Sequence, residues 1–380
     1  MLQEKHQKQP MTTLMTRSPR NVIVKVTNAC NLACKYCYAG DAGSGVMSTP
    51  VLERLIESFA QLKQPVSFIW HGGEPLSAKL SFYEYAMYLQ YWHSKRSGFH
   101  FRNNIQTNGT LVTNEVVDFC KRHDTRLGFS LDGPAEFHDD MRPFTNGTGS
   151  FSSVYSGMKL ARENGVGGGG AIIVLNARTI PHLPEIYKFF ASEGLNMKVN
   201  PLICAGHAKS HFAGLGITPA HYAEAMKALF DRYVSDCPRI AIEPFDSLIG
   251  NVAFDENKGI CLFSENCQEG FICVTQNGDV YPCGRFDGSA NWKYGNIMVA
   301  NLDRILESPA RNILLKRNAQ ANSVCKKCRF IKSCYGGCMN NGFTRRGNPM
   351  DRDFYCAGYK ELFSYIESFV REQTKQATLN

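Results

Sequence analysis

The sequence predicts an α/β protein, in which a partial (β/α)6 barrel precedes a small cysteine-rich domain. Short apolar runs alternate with helical patterns from residue 21 to about 201, which is typical of a parallel sheet. Nine of the fifteen cysteines then lie between Cys261 and Cys356. Six β/α units are fewer than the eight of a closed barrel, so we expect a barrel that is open at one side.

The six units follow one another along the first half of the chain. The strand "NVIVKVT" comes first, and Thr49 and Pro50 then start a helix as N-cap and first helical residue. Further helices are expected near 80–95, 113–122, 151–164 and 182–193. The strands between and after them read "PVSFIW", "NNIQT", "RLGFSL", "GGAIIVL" and "NMKVNPLI". Since active sites of such folds gather at the carboxyl ends of the strands, we expect the chemistry there.

The remaining boundaries follow from composition. We expect a flexible extension over 1–20, the barrel over 21–217, a helical linker over 218–260, the cysteine-rich domain over 261–360, and a C-terminal helix and tail over 361–380. Residues 202–217 are rich in Gly, Ala and His and are interpreted as a linker at the end of the barrel domain. Asn277-Gly278 predicts a hairpin turn.

Composition restricts the class of protein. The N-terminus has no apolar run typical of a signal peptide, and no stretch approaches a membrane span, so a cytoplasmic protein is expected. Fifteen cysteines in such a protein indicate metal or redox chemistry rather than disulfides. The net charge of +8 comes without a basic run, which favours a generally basic surface over nucleic-acid binding. An acidic peptide partner is compatible with it.

Three cysteines, Cys30, Cys34 and Cys37, stand together in "CNLACKYC" behind the first strand. A structural zinc site takes four ligands, and a disulfide framework takes an even number of cysteines. Three thiolates on one short loop suit a four-iron cluster that keeps one iron open for a cofactor or substrate.

This stretch resembles the cluster loop of radical S-adenosylmethionine (SAM) enzymes. The resemblance implies a partial TIM-like barrel whose [4Fe–4S] cluster binds SAM and cleaves it to a 5′-deoxyadenosyl radical. It also places Tyr36 against the adenine.

Four further motifs match the family in order. "HGGEP" would bind the SAM amino group, "QTNGT" and "SLDGP" end the next two strands, and "HDDMRPF" offers an arginine. Ser130 and Arg142 would hold the SAM carboxylate, because a guanidinium pairs bidentately with it. The implied SAM contacts are Tyr36, Gly72, Gly73, Glu74, Thr107, Asn108, Ser130, Asp132 and Arg142.

The C-terminal cysteines resemble those of the SPASM domain, which carries two auxiliary [4Fe–4S] clusters, for three in total. By position in the family, the first cluster would take Cys261, Cys267, Cys283 and Cys338. The second would take Cys325, Cys328, Cys334 and Cys356. A pair of structural zinc sites has similar spacings and stays open as the alternative. Cys120, Cys204, Cys237 and Cys273 are left as buried thiols.

SPASM enzymes mostly modify peptides or proteins. In sulfatase maturases, which make formylglycine, an aspartate base follows the third ligand of the first auxiliary cluster, whereas this chain has Gly284 there. Asp287 is the nearest carboxylate and the candidate for a base. The stretch "GDVYPCGRFDG" is more like maturases that form three-residue cyclophanes.

The expectation is therefore oxidative crosslinking of an aromatic ring to a β-carbon in a ribosomally made precursor peptide. The implied mechanism takes a hydrogen from the β-carbon, and an auxiliary cluster accepts the surplus electron. Implied partners are a precursor peptide with its leader and an electron donor such as flavodoxin or ferredoxin. Formylglycine formation, thioether formation and a non-catalytic metal-binding or electron-transfer protein remain as alternatives.

Overall fold

The computed structural model describes residues 18–39, 45–236, 240–254, 260–264, 267–317 and 323–379. These residues form one ten-stranded sheet. Its strands are β1 Asn21–Thr27, β2 Val66–Gly72, β3 Phe101–Thr107, β4 Thr125–Ser130, β5 Gly167–Leu175, β6 Asn196–Pro201, β7 Ile242–Glu243, β8 Phe271–Val274, β9 Asp279–Tyr281 and β10 Gly295–Asn296.

Helices cover and connect these strands. In the barrel region they are α1 Thr49–Ala60, α2 Leu80–Ser97, α3 Asn114–Arg122, α4 Ala135–Met141, α5 Phe151–Glu163, α6 Leu183–Ser192, α7 Ala208–Leu215, α8 Pro219–Ser235 and α9 Phe245–Phe254. In the cysteine-rich region they are α10 Cys267–Gly270, α11 Leu302–Leu306, α12 Pro309–Leu315, α13 Ser323–Lys326, α14 Ile331–Cys334, α15 Met339–Arg346 and α16 Cys356–Leu379.

Strands β1 to β7 are parallel and neighbours in chain order, as the alternation of strands and helices predicts. Alternate residues of β1 face the core: Val22, Val24 and Val26 are fully buried. Trp70 of β2 packs between the rings of Phe68 and Tyr83. All the carboxyl ends of these strands therefore lie at one edge, where the cysteine triad and the later motifs follow them.

The cysteine-rich region shares the barrel sheet. Strand β8 pairs in parallel with β1, with Asn21 opposite Phe271 and Val24 opposite Val274. The predicted hairpin joins β8 to β9, and Gly278 at its turn has a φ of +81°. This pairing places the segment after β9 directly beside the carboxyl end of β1.

The predicted α/β barrel followed by a cysteine-rich domain is confirmed, and the structure differs in three details. Residues 208–215, inside the segment interpreted as a linker, form α7, whose Ala208 and Leu215 are buried. The expected helical linker over 218–260 also carries β7, which pairs with β6. The last helix starts at Cys356, five residues before the expected boundary. None of the described helices combines the length and the apolar character that crossing a membrane requires.

Candidate functional site

The cysteine triad lies on the loop after β1, which is fixed by the segment that follows α4. The amide of Ala33 donates to the carbonyl of Pro143 at 2.8 Å, and the amide of Lys35 donates to that of Met141 at 3.0 Å. Burial, together with the neighbouring thiols of Cys37 and Cys30, raises the pKa of Cys34 to about 12. The three thiols are thus grouped, and metal binding would have to deprotonate them.

The glycine pair at the end of β2 lies against the end of β1 and this loop. The amide of Gly73 donates to the Thr27 carbonyl, and the amide of Glu74 donates to the Ala29 carbonyl, each at 2.8 Å. A Cβ on Gly72 would lie 2.1 Å from the Thr27 oxygen, and one on Gly73 2.2 Å from the Ala29 oxygen. Only glycine therefore allows the two segments to approach this closely.

The Glu74 carboxylate is fully buried and accepts hydrogen bonds from three groups of this chain. The donors are the Thr107 hydroxyl at 2.7 Å, the Asn108 amide at 2.7 Å and the Leu76 amide at 2.9 Å. Most of its acceptor capacity is therefore used in joining the ends of β2 and β3. A role for Glu74 toward the SAM ammonium stays a prediction.

Asn108 continues this network to the cluster loop. Its Nδ2 donates to Asn31 Oδ1 at 2.8 Å and lies 3.8 Å from Cys30 Sγ. The predicted motif at the end of β3 is thereby brought together with the triad.

Tyr36, Asp132 and Arg142 form a buried cluster beside the triad. The Tyr36 hydroxyl donates to Asp132 Oδ2 and accepts from Arg142 Nη1, the latter at 2.8 Å. Burial raises the pKa of Asp132. Burial opposes charge on Arg142, but neighbouring Cys34, Tyr36 and Asp132 hold its pKa above its usual value.

Two donors in this region are left for a ligand. Arg142 Nε is buried and has no hydrogen-bond partner among the described residues. Ser130 Oγ accepts from Gln106 Nε2 at 3.2 Å, which leaves its own proton to donate. A buried N–H without an acceptor is costly, and a carboxylate would satisfy it. The residues present therefore fit the carboxylate of SAM.

The first predicted auxiliary set also comes together in the structure. Burial raises the pKa of Cys267, and the neighbouring thiols of Cys261, Cys283 and Cys338 add to that effect. Arg285 Nη1 lies 3.7 Å from Cys338 Sγ. A cation beside grouped thiols favours their thiolate form, which is the form that binds iron.

The second predicted set lines one small pocket. All four of its cysteines, Cys325, Cys328, Cys334 and Cys356, contribute to the wall, together with apolar side chains and Lys360. A pocket lined by four thiols fits an iron–sulfur cluster. Within the described residues, no three His, Cys, Asp or Glu side chains converge on the position of a single metal ion. The assignment of ligands to each cluster stays a prediction.

The four remaining cysteines belong to none of the predicted ligand sets, and Cys273 lies near Lys25 and Cys283. Cys120 and Cys273 are buried, Cys204 is half-buried, and Cys237 lies outside the described residues.

Sequence reasoning missed a polar cluster between the triad and the first auxiliary set. Lys25 of β1 is 2% exposed, and its Nζ lies 2.6 Å from Asp287 Oδ2. Lys25 Nζ also lies 5.7 Å from the centre of the Tyr38 ring. The centres of the Tyr38 and His71 rings are 6.3 Å apart. Burial and the nearby Lys25 lower the pKa of His71 to about 4, so this histidine is neutral. The signal in the sequence was a lysine within an otherwise apolar strand.

Comparison with protein families gives two matches. Residues 24–190 match the radical SAM superfamily, and residues 264–329 match SPASM, an iron–sulfur cluster-binding domain. The serine-type anaerobic sulfatase-maturating enzyme of Bacteroides thetaiotaomicron is 31% identical, over 94% of this chain and 92% of the relative. The cysteine-type enzyme of Clostridium perfringens is 28% identical, over 91% and 96%.

Solved structures agree with these matches. The structure of native anSMEcpe with bound AdoMet, which is SAM, superposes with a TM-score of 0.83 at 26% identity, over 94% of this chain and all of the other. Streptococcus suis SuiB bound to its precursor peptide SuiA has a TM-score of 0.63 at 17% identity, over 90% and 76%. At that identity, the second comparison shows a shared fold.

Proposed function

The chain belongs to the radical SAM enzymes that carry a SPASM domain, and we propose that it oxidises a side-chain β-carbon of a peptide or protein substrate by two electrons. Formylglycine formation on a cysteine or serine is the first candidate reaction. The relatives at 31% and 28% identity are named serine-type and cysteine-type anaerobic sulfatase-maturating enzymes, and they align along more than nine-tenths of this chain.

One structural observation carries the proposal. The polar cluster of Lys25, Tyr38, His71 and Asp287 lies between the triad and the first auxiliary set. Tyr38 follows Cys37 directly in the sequence. Arg285 follows Cys283 by two residues, and its charge opposes the rise that burial causes in the pKa of Tyr38. A substrate side chain in this position would have polar groups of the chain around it and thiol groups on both sides.

The bound groups supply the radical chemistry: SAM on its cluster would yield a 5′-deoxyadenosyl radical that takes a hydrogen atom from the substrate. The chain's own residues bind and orient. Arg142 Nε and the Ser130 hydroxyl are the donors for the SAM carboxylate. Glu74 and Asn108 hold the strand ends that carry these loops.

The test uses anaerobically reconstituted enzyme with sulfatase-type peptides that contain cysteine, serine or, as the control, alanine at the target position. We expect 5′-deoxyadenosine together with an aldehyde that reacts with a hydrazide probe on the first two peptides. If 5′-deoxyadenosine accumulates and no peptide is oxidised, the substrate class is wrong.

A second candidate, cyclophane crosslinking, is favoured by one specific feature. Gly284 stands where the sulfatase maturases carry the aspartate base, and the short turn Gly284–Phe286 offers no carboxylate. A crosslinked precursor from a neighbouring open reading frame would lose about two daltons and would not react with hydrazide. Serine oxidation also loses about two daltons, so the hydrazide reaction separates the two products.

A further inference from the structure

Gly284 is not required by the backbone. Its φ lies outside the left-handed region, and a Cβ built there would meet Tyr38 Oη at 3.4 Å, Ile23 Cγ2 at 3.6 Å and Lys25 Cε at 3.8 Å. These are ordinary van der Waals distances. A Cβ at position 284 would therefore be tolerated, in van der Waals contact with Tyr38 and Lys25.

A carboxylate reaches the same place from three residues further on. The turn Gly284–Phe286 brings Asp287 back toward β1, where its Oδ2 accepts from Lys25 Nζ at 2.6 Å. Phe286, buried in the core, anchors this turn. Lys25 is thus within reach of both position 284 and Asp287.

The two partners of this ion pair differ in exposure. Lys25 is 2% exposed, whereas Asp287 is 21% exposed. Asp287 Oδ1 has no hydrogen-bond partner among the described residues. A buried cation with no carboxylate beside it would be costly, so the Asp287 carboxylate is held in place at the Lys25 ammonium. Oδ2 is then occupied by the lysine, and Oδ1 takes no part in that contact.

We propose that Asp287 is the catalytic base of this enzyme and that Lys25 is the residue that positions it. This inference rests on the proposed two-electron oxidation. One electron leaves the substrate with the hydrogen atom taken by the deoxyadenosyl radical, and the other goes to a one-electron acceptor of the iron–sulfur class. The proton released alongside it, from the thiol, the hydroxyl or an aromatic ring carbon, passes to Asp287 Oδ1.

A carboxylate beside Lys25 can be supplied from position 287 or, by substitution, from position 284, which gives a direct test. Asp287→Asn keeps the side chain's shape and removes the base. The double change Gly284→Asp with Asp287→Asn puts a carboxylate back beside Lys25 from the other position. Asp279→Asn is the matched control, because Asp279 forms an ion pair of the same 2.6 Å length with Lys293 on the neighbouring hairpin.

We expect Asp287→Asn to lower product formation by about 100-fold, the usual contribution of a positioned base, while 5′-deoxyadenosine release falls far less. The double variant should recover product to within about tenfold of wild type, and Asp279→Asn should match wild type. Affinity for a target-to-alanine peptide, measured by fluorescence anisotropy, should be unchanged in Asp287→Asn, since a base does not hold the substrate.

Two results would overturn the inference with the wild type active. One is full product formation by Asp287→Asn. The other is that Asp287→Asn loses 5′-deoxyadenosine release, peptide affinity and product together, and that the double variant recovers none of them. The ion pair of Lys25 and Asp287 would then only stabilise the fold. A wild type that oxidises no peptide would instead remove the proposed function itself.

Discussion

The carboxylate of Glu74 accepts a hydrogen bond from the Thr107 hydroxyl at 2.7 Å, which joins two motifs that are 33 residues apart. The same carboxylate accepts from the Asn108 amide, and the Asn108 side chain donates to Asn31 on the cluster loop. Two neighbouring strand ends and the cysteine loop are thereby fixed to one buried charge.

Glu74→Gln should therefore weaken both the fold and the cofactor site. An amide nitrogen in place of one oxygen would face donors of the chain, which costs about 1–3 kcal/mol of the free energy of unfolding. We also expect weaker SAM binding, measured by titration of anaerobically purified protein. Glu57→Gln, at a position about half exposed, is the control and should change neither quantity. Equal stability and affinity in both variants would contradict this role.

Gly73→Ala should displace the cluster loop, because the new Cβ would lie 2.2 Å from the Ala29 oxygen. A displacement of about 1 Å commonly costs about 100-fold in rate, so SAM cleavage should fall by that order. Gly214→Ala adds the same methyl group to a helix where nothing lies within 4 Å of it. Retained SAM cleavage by Gly73→Ala would show that the loop does not depend on this contact.

Stability should depend on pH through His138. The backbone amide of Asp132 donates to His138 Nδ1 at 3.3 Å. The Ser150 hydroxyl donates its proton to the Arg142 carbonyl, so its oxygen accepts from His138 Nε2, at 3.1 Å. The ring is therefore neutral and fully satisfied. Burial and the nearby Arg142 lower its pKa to about 3.

The native state consequently binds fewer protons than the unfolded state between pH 3 and 6.5. The stabilisation from neutral His138 is complete above the unfolded pKa and decreases as the pH falls through that window. His138→Gln should make the acid limb of urea-unfolding stability shallower by about one proton. The exposed His221→Gln should keep the wild-type slope; an identical slope in both variants would contradict the assignment.

Changing Cys30, Cys34 and Cys37 together to alanine should abolish SAM cleavage and leave the auxiliary iron largely bound. The triad and the SPASM cysteines are separate groups in the structure, so iron and sulfide should fall by about one four-iron cluster in three. Iron content and 5′-deoxyadenosine release measure the two effects. Cleavage by the triple variant would mean that another site binds SAM.

The strands and motifs could be predicted because they follow local rules. The helix near Thr49-Pro50, which starts at Thr49 with Ser48 and not Thr49 as its N-cap, and the Asn277-Gly278 turn are each encoded within a few residues. The family resemblance implied the two auxiliary sets, and the members of each set lie near one another in the structure.

Long-range contacts could not be predicted in this way. The pairing of β8 with β1 joins residues 250 apart, and it alone brings Asp287 to Lys25. Helix α7 was missed because glycine and alanine weaken its apolar pattern, although Ala208 and Leu215 are buried. His138 is part of the motif "HDDMRPF", which stood out in the sequence only for Arg142. The neutral state of the buried His138 ring depends on Ser150, twelve residues further along the chain.

The most direct test of the account follows the hydrogen atom. Peptides deuterated at the β-carbon of the target residue, both sulfatase-type sequences and precursors from neighbouring open reading frames, would be incubated anaerobically with the enzyme and SAM. We expect deuterium from at least one of these peptides to appear in 5′-deoxyadenosine, in step with the two-electron oxidation of that peptide measured by mass spectrometry. Oxidation of a peptide with unlabelled 5′-deoxyadenosine, or no oxidation of any, would contradict it.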